Sequence, residues 1–305
     1  MFASVPGRVS PEQNIYGGSM LSRDGKRAMA YVMPGVILSA LIVVYPLIYI
    51  IIMSFSSNGF SMGGFVGFRN YTRLFKNPQF SKAVMNTIKF VLGTVSGAFV
   101  IGFALSLLIN RKNTKFKGLW RSMLFIAWVI PGVAKATVFK WIFQTESGVL
   151  NDTLMKLNMI SSPIPWLSNS TIALWSLVIV QIWSTAPYVM LILTGSLQQV
   201  PVDLYESAEL DGASWFEKLI HVTLPEVKDS CFVAILMLII WSLGEFSLIW
   251  LTTSGGNNTT TLSILIYNQF RVMDINASAA SAIMQLIVTM SFAVIYVKMI
   301  SKNED

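Results

Sequence analysis

Apolar residues in this chain gather into six long runs, 30–55, 87–109, 119–143, 172–193, 231–251 and 277–300, separated by polar intervals. A helix needs about 20 apolar residues to cross a hydrocarbon core about 30 Å thick, and each run meets that length. None alternates as a barrel strand would. Lipid offers no partner to backbone polar groups, so helices are the expected form. Pro34, Pro46, Pro131 and Pro187 fall inside the runs, where packed neighbours make proline tolerable. The pattern predicts an all-α polytopic membrane protein with six transmembrane helices. Residues 1–29 read as an N-terminal tail, 30–301 as one membrane domain and 302–305 as a C-terminal tail. Between the first two runs, Phe68, Tyr71, Leu74 and Phe75 recur at helical spacing, which predicts a short interfacial helix. Trp120, Trp128, Trp141, Trp166 and Trp250 include candidates for headgroup-level anchors.

Composition agrees with the pattern. Only 12% of the 305 residues are charged and 54% are hydrophobic, against about 25% charged in a soluble domain. Mean hydropathy is +0.61. The net charge of +7 does not point to nucleic acid, because the basic residues are scattered between the apolar runs. Six spans place both termini on one side. With the termini inside, eleven basic residues between Arg8 and Lys302 fall in cytoplasmic segments. Six (Arg69, Arg73, Lys76, Lys82, Lys156 and Arg271) fall outside, an asymmetry that favours cytoplasmic termini. No small-residue cleavage site follows the first run, which is long enough to span, so a signal peptide is not expected. Cys231 is the only cysteine and lies in an apolar run; His221 is the only histidine. Neither a soft-metal site nor a Ser/His/Asp set is arguable, so no catalytic residues are expected.

The interval 201–229 departs from the rest. Asp203, Glu206, Glu209, Asp211, Glu217, Glu226 and Asp229 outnumber Lys218 and Lys228, so an otherwise basic protein carries one acidic loop. Pro201 suits a first helical turn, and Leu204, Ala208 and Leu210 give a modest apolar face. Gly212 breaks that helix. Ser214 with Glu217 has the spacing of a capping box, and a second helix through Trp215, Leu219 and Ile220 should run toward Leu224 and Pro225. The expectation is a helix-turn-helix below the membrane; an ordinary amphipathic surface loop is the plain alternative.

The segment Tyr205-Glu-Ser-Ala-Glu-Leu-Asp-Gly-Ala213, with Ile220 and Leu224-Pro225 following, resembles the EAA loop of ABC-importer permeases. Ser207 stands where alanine is usual. Gly67-Phe-Arg-Asn-Tyr71 with Asn86-Thr87, Gly148-Val-Leu-Asn151, and Gly255-Gly256 followed by 259–262 resemble the carbohydrate-uptake, maltose-type branch. Asn257 follows the two glycines where that branch often has proline. The resemblance implies a permease subunit in the bacterial cytoplasmic membrane. It implies a second homologous permease, an ABC ATPase dimer and an extracytoplasmic substrate-binding protein as partners. It also implies that Glu206, Ser207, Ala208, Asp211, Gly212, Leu224 and Pro225 belong to a coupling helix that docks on the ATPase. The chain itself has no phosphate-cradling Gly-x-x-x-x-Gly-Lys-Ser/Thr loop; Asp24-Gly25-Lys26-Arg27 lacks the first glycine and the hydroxyl residue. ATP and Mg²⁺ are therefore assigned to the partner, and no cofactor to this chain.

A sugar path needs aromatic faces and amide or hydroxyl groups within the spans. Trp128 with Gly132; Gln181, Ser184, Thr185 and Tyr188; and Trp241, Ser242 and Glu245 supply them. By resemblance to maltose-type permeases they match positions facing the translocation cavity, although hydroxyl and small residues also serve helix packing. Lys135 and Glu245 lie inside apolar runs, where each costs about 2.5 to 3.5 kcal/mol on insertion scales. They could pair with each other, or Lys135 could meet an anionic group of the substrate. The second possibility suits an acidic, uronate-type oligosaccharide. A neutral oligosaccharide or a polyol phosphate stands as the alternative cargo, and a secondary transporter or channel, or a membrane enzyme, as the alternative class.

Overall fold

The computed structural model describes residues 23–60, 64–111 and 114–304. Most of the expected N-terminal tail, the basic residues Arg8 and Lys112, and Asp305 lie outside the described residues. Every regular element among the described residues is helical. Two compact units divide at Ile52/Met53. The first holds most of the N-terminal helix, which runs as α1 (Arg23–Ser39), a π-helical turn (Ala40–Val44) and α2 (Tyr45–Ser54). The π turn has a cause. Pro46 brings no N–H and would collide with the carbonyl four residues back in a regular helix, and widening the turn just ahead of it relieves both.

The second unit contains α3 (Arg69–Phe75), α4 (Pro78–Asn110), α5 (Lys117–Val129), α6 (Gly132–Ile142), α7 (Val149–Lys156), α8 (Ala173–Leu197), α9 (Val202–Leu210), α10 (Trp215–Lys218), α11 (Leu224–Gly244), α12 (Ser247–Thr253), α13 (Leu262–Arg271) and α14 (Ile275–Glu304). The helices α4 and α8 form its spine. They approach closely because glycines line the contact. A Cβ on Gly102 would sit 2.6 Å from the carbonyl oxygen of Ala186, and one on Gly97 would strike Ile182. Close backbone approach through small residues is how helices associate where lipid removes the hydrophobic drive.

Among the described residues, five helices are long and apolar enough to cross a membrane, and a bent pair brings the number to six. That pair corrects the expectation of a continuous third span. α5 and α6 meet at 91° across Ile130-Pro131. Proline forces the residue before it out of the helical region, and Ile130 is extended at ψ 124°. The fifth span is also interrupted, at Glu245-Phe246 between α11 and α12, where no proline warns of it.

The helix expected over Gly67–Phe75 forms as α3, and part of its predicted apolar face serves the protein core. Tyr71 and Leu74 are buried against Phe80, Ala83, Leu262, Leu265 and Ala280, while Phe68 and Phe75 are exposed. The motif asparagines staple the loops at this end of the unit. Asn70 Nδ2 donates to the carbonyls of Ser54 and Ser56 at 2.9 and 2.8 Å. Asn86 Nδ2 donates to the carbonyls of Asn258 and Thr260 at 2.9 and 3.1 Å. Asn151 is fully buried. It donates to the carbonyls of Thr145 and Ile164 and accepts from the Ile164 amide and from Trp166 Nε1.

Candidate translocation cavity and coupling loop

The two helix breaks face one cavity. Its volume is about 290 Å³, and Trp128, Ile130, Lys135, Gln181, Ser184, Thr185, Trp241, Gly244, Glu245, Phe246 and Ser247 line it. Seven of the ten residues singled out for a substrate path therefore share a single wall. Of the other three, Tyr188 adjoins it through its ring. Gly132 faces Ser247, whose Cβ lies 3.6 Å from where a glycine Cβ would sit. Ser242 buries a hydroxyl for which no partner is found among the described residues. Ile130, Gly244, Phe246 and Ser247 were not anticipated. Three of them flank Glu245 at a break that has no proline, and only Ile130, just before Pro131, carried a usable signal.

Two charged side chains organise the cavity. The break at Pro131 turns α6 so that Lys135 lies one turn in from its start, with its amide bonded to the Pro131 carbonyl at 2.9 Å. The buried ammonium donates to Gln181 Oε1 at 2.9 Å and to Ser184 Oγ at 3.1 Å. Glu245 Oε2 stands 4.0 Å away, at the outer edge of an ion pair. The other carboxylate oxygen of Glu245 accepts the Leu248 amide at 2.9 Å, satisfying an orphan donor in the first turn of α12. Glu245 thus caps a half-span and supplies negative charge to the cavity. Gln181 turns its amide oxygen to the ammonium, which leaves its NH₂ as a donor group of the wall. The Thr185 and Ser184 hydroxyls donate to the Gln181 carbonyl at 2.7 and 3.1 Å, a back-bond that satisfies hydroxyls within an apolar span.

An aromatic triad lies on the side of the cavity nearer the 202–223 loop. Trp128 stacks on Tyr188 with centroids 5.1 Å apart, Trp241 lies 4.5 Å from Trp128, and Tyr188 meets Trp241 edge-on at 4.6 Å. Trp128 is thus a ring in this triad beside the cavity. On the opposite side α6 and α12 pack together, and Lys140 Nζ donates to the Leu251 carbonyl at 3.1 Å.

The acidic loop has the expected local form. α9 ends at Gly212, whose φ of +76° is a conformation that side-chain-bearing residues rarely adopt. The capping box is made: Ser214 Oγ accepts the Glu217 amide at 3.3 Å, and Glu217 Oε2 accepts the Ser214 amide at 2.7 Å. Hydrogen bonds from the Ser214 side chain, then from its backbone, hold the Glu217 carboxyl below its usual pKa. The second helix does not stop at Pro225. It passes through a π-helical turn, Leu219–Thr223, directly into α11, so the loop and the fifth span share one rod. This is again a π turn two residues ahead of a proline. Tyr205 and Thr223 hydroxyls meet at 3.0 Å, and Lys218 pairs with Glu209 at 2.8 Å, tying α9 to that rod. Glu206, Ser207, Asp211, Gly212 and Pro225 are exposed, and Ala208 and Leu224 half-buried. Leu210, Trp215 and Phe216 beside them are exposed at 90%, 61% and 61%, an apolar face set among carboxylates. His221 is exposed, with Nδ1 3.1 Å from the Glu217 carbonyl. No group of metal-ligating side chains occurs among the described residues.

Residues 98–303 match the family model of the binding-protein-dependent transport system inner membrane component. The chain belongs to this family of permeases. Among its relatives, the sulfoquinovosyl glycerol transport system permease SmoG of Agrobacterium fabrum is 32% identical over 92% of each chain. The trehalose/maltose transport system permease MalF of Thermococcus litoralis is 33% identical over 77% of the permease and 79% of MalF. In fold, the permease resembles a chain of a bacterial ABC transporter involved in the import of alginate. The TM-score is 0.79 at 21% identity, covering 91% of the permease and 96% of that chain. It is a sugar-type ABC-importer permease, and its broken spans and cavity are to be understood as parts of a membrane transporter.

Proposed function

We propose that the permease conducts an acidic oligosaccharide, of uronate or similar anionic type, into the cytoplasm. The observation that carries this reading is the Lys135 ammonium. It lines the cavity, its two close partners are neutral, and its one carboxylate neighbour stands at 4.0 Å. A positive charge so placed, in a low-dielectric wall, attracts an anionic group and gains nothing from a neutral sugar. Amide, hydroxyl and indole groups beside it suit sugar hydroxyls and ring faces. The named cargo of SmoG, a sulfo-sugar glycoside, supports the same reading.

A second reading has its own support. MalF is named for neutral disaccharides, and Glu245 can neutralise Lys135, so a neutral oligosaccharide is the rival cargo; a polyol phosphate, itself anionic, would call on Lys135 as a uronate does. In either case both termini are cytoplasmic and the 201–229 loop faces the cytoplasm. There Glu206, Asp211 and the exposed apolar residues dock on an ABC ATPase dimer, which binds ATP and Mg²⁺. A second homologous permease completes the path, and an extracytoplasmic binding protein delivers the sugar. The rod shared by α10, the π turn and α11 gives the mechanism its lever. A displacement at the ATPase reaches the Glu245 break through one continuous helix, by rigid-body transmission between two states. Reconstitution of the whole transporter with its binding protein, followed by ATPase stimulation across acidic and neutral oligosaccharides, tests the cargo. Stronger stimulation by galacturonate oligomers than by maltodextrins is expected; the reverse order overturns the acidic reading.

A further inference from the structure

A second cationic feature lies on the far side of the cavity from the coupling loop. The helices α12 and α13 each present an aromatic at one end of an i,i+4 pair to the other helix. Phe246 stacks on Trp250 with centroids 5.9 Å apart and planes at 11°, and Tyr267 packs edge-on to both at 5.0 and 4.7 Å. Arg271, one turn beyond Tyr267, lays its guanidinium 5.3 Å from the Trp250 centroid and 5.9 Å from that of Tyr267. The result is a continuous row from Arg271, exposed at the end of the helix, to Phe246 in the cavity wall. Asp274, the acid nearest in sequence, is engaged by Arg73 at 3.2 Å, and Arg271 has no ionic partner among the described residues. A guanidinium stacked on rings keeps its in-plane N–H groups free for a planar, two-pronged contact with a carboxylate.

We propose that Arg271, held in place over Trp250 and Tyr267, forms an outer subsite that captures an anionic group of an acidic oligosaccharide and passes its chain along Phe246 to the cavity. The proposal rests on the acidic-cargo reading above and adds a requirement for length. Phe246 and Trp250 are one helical turn apart, about 5.4 Å along the axis, and Arg271 lies beyond. Engaging Lys135 and Arg271 together therefore calls for an oligomer, for which a trimer is the probe.

The test uses the complete reconstituted transporter with its binding protein. Initial uptake of mono- and trigalacturonate, and of glucose and maltotriose, is measured for wild type, Arg271→Gln and Arg271→Lys. Arg271→Gln should lower trigalacturonate uptake about tenfold, the loss of one charge-assisted contact, and leave the other three within about twofold. Arg271→Lys, which keeps the charge and loses the planar fork, should fall between. An equal loss for acidic and neutral trimers, or a loss that saturating binding protein restores, makes Arg271 a docking or membrane-anchoring residue and overturns the subsite. Trigalacturonate uptake that is unchanged in Arg271→Gln but reduced in Lys135→Met overturns the subsite alone. A wild-type transporter that takes up maltotriose and not trigalacturonate overturns the acidic-cargo reading beneath it.

Discussion

Removing the Lys135 side chain should cost the fold more than removing both charges of the cavity. Lys135→Met deletes two hydrogen bonds, at 2.9 and 3.1 Å, and a carboxylate contact at 4.0 Å. At that separation the ion contact alone is worth about 4 kcal/mol at an effective dielectric constant near 20. Breaking a buried pair typically costs about 3 to 5 kcal/mol because one charge is left uncompensated. Glu245 is 15% accessible and retains the Leu248 amide, which lowers the expected loss to about 2 to 4 kcal/mol. Glu245→Met should cost less, about 1 to 2 kcal/mol, because Gln181 and Ser184 still solvate the ammonium and the main loss is the α12 cap. The double variant leaves no orphaned charge and should lie within about 1 kcal/mol of wild type. Reversible unfolding in mixed micelles gives the three free energies. A coupling between the two sites of about 2 kcal/mol or more is expected, since contacting residues couple and distant ones add. Strict additivity of the single losses would refute the view that the pair shares one electrostatic environment.

Other consequences can be checked separately. Asn151→Ala strips four hydrogen bonds from a fully buried side chain and should destabilise the 145–166 loop by about 2 to 4 kcal/mol, read as earlier proteolysis there. Normal resistance to protease would count against the staple. Gly212→Pro cannot adopt the φ of +76° and, like Glu206→Lys on the exposed loop, should release the ATPase on purification while the spans remain folded; full transport in both variants contradicts the coupling role. Asn257→Cys should react with a membrane-impermeant thiol reagent from outside intact cells, and labelling from the cytoplasm alone would invert the proposed orientation.

Sequence made the spans legible because the hydrocarbon core dictates their length, and a run of apolar residues records it directly. The acidic loop was legible for a different reason: Gly212, Ser214 and Glu217 are local signals, and the turn and capping box they specify need no tertiary partner. The helix breaks were less so. Pro34 and Pro187 sit inside unbroken helices, Pro46 is absorbed by a π turn, and only Pro131, followed by Gly132, bends a span. Composition cannot separate these cases, since neighbouring helices decide whether a freed carbonyl finds a partner. The break at Glu245 is further removed from sequence: no proline marks it, and the carboxylate that bonds the Leu248 amide across the gap does so only in the folded chain. Lys135, Gln181 and Glu245 could be singled out as polar groups in apolar runs. That they share one cavity depends on the 91° bend between α5 and α6, and spacing along the chain holds no record of that angle.

The most direct test of the account is the charge selectivity of transport. Uptake of trigalacturonate and maltotriose should be measured in competition, in proteoliposomes carrying the complete transporter, for wild type and for Lys135→Met with Glu245→Met. Wild type should prefer the acidic trimer by tenfold or more, about 1.4 kcal/mol, and the stable double variant should lose the preference while still moving maltotriose. An unchanged preference in the double variant would mean that Lys135 does not select the charged cargo.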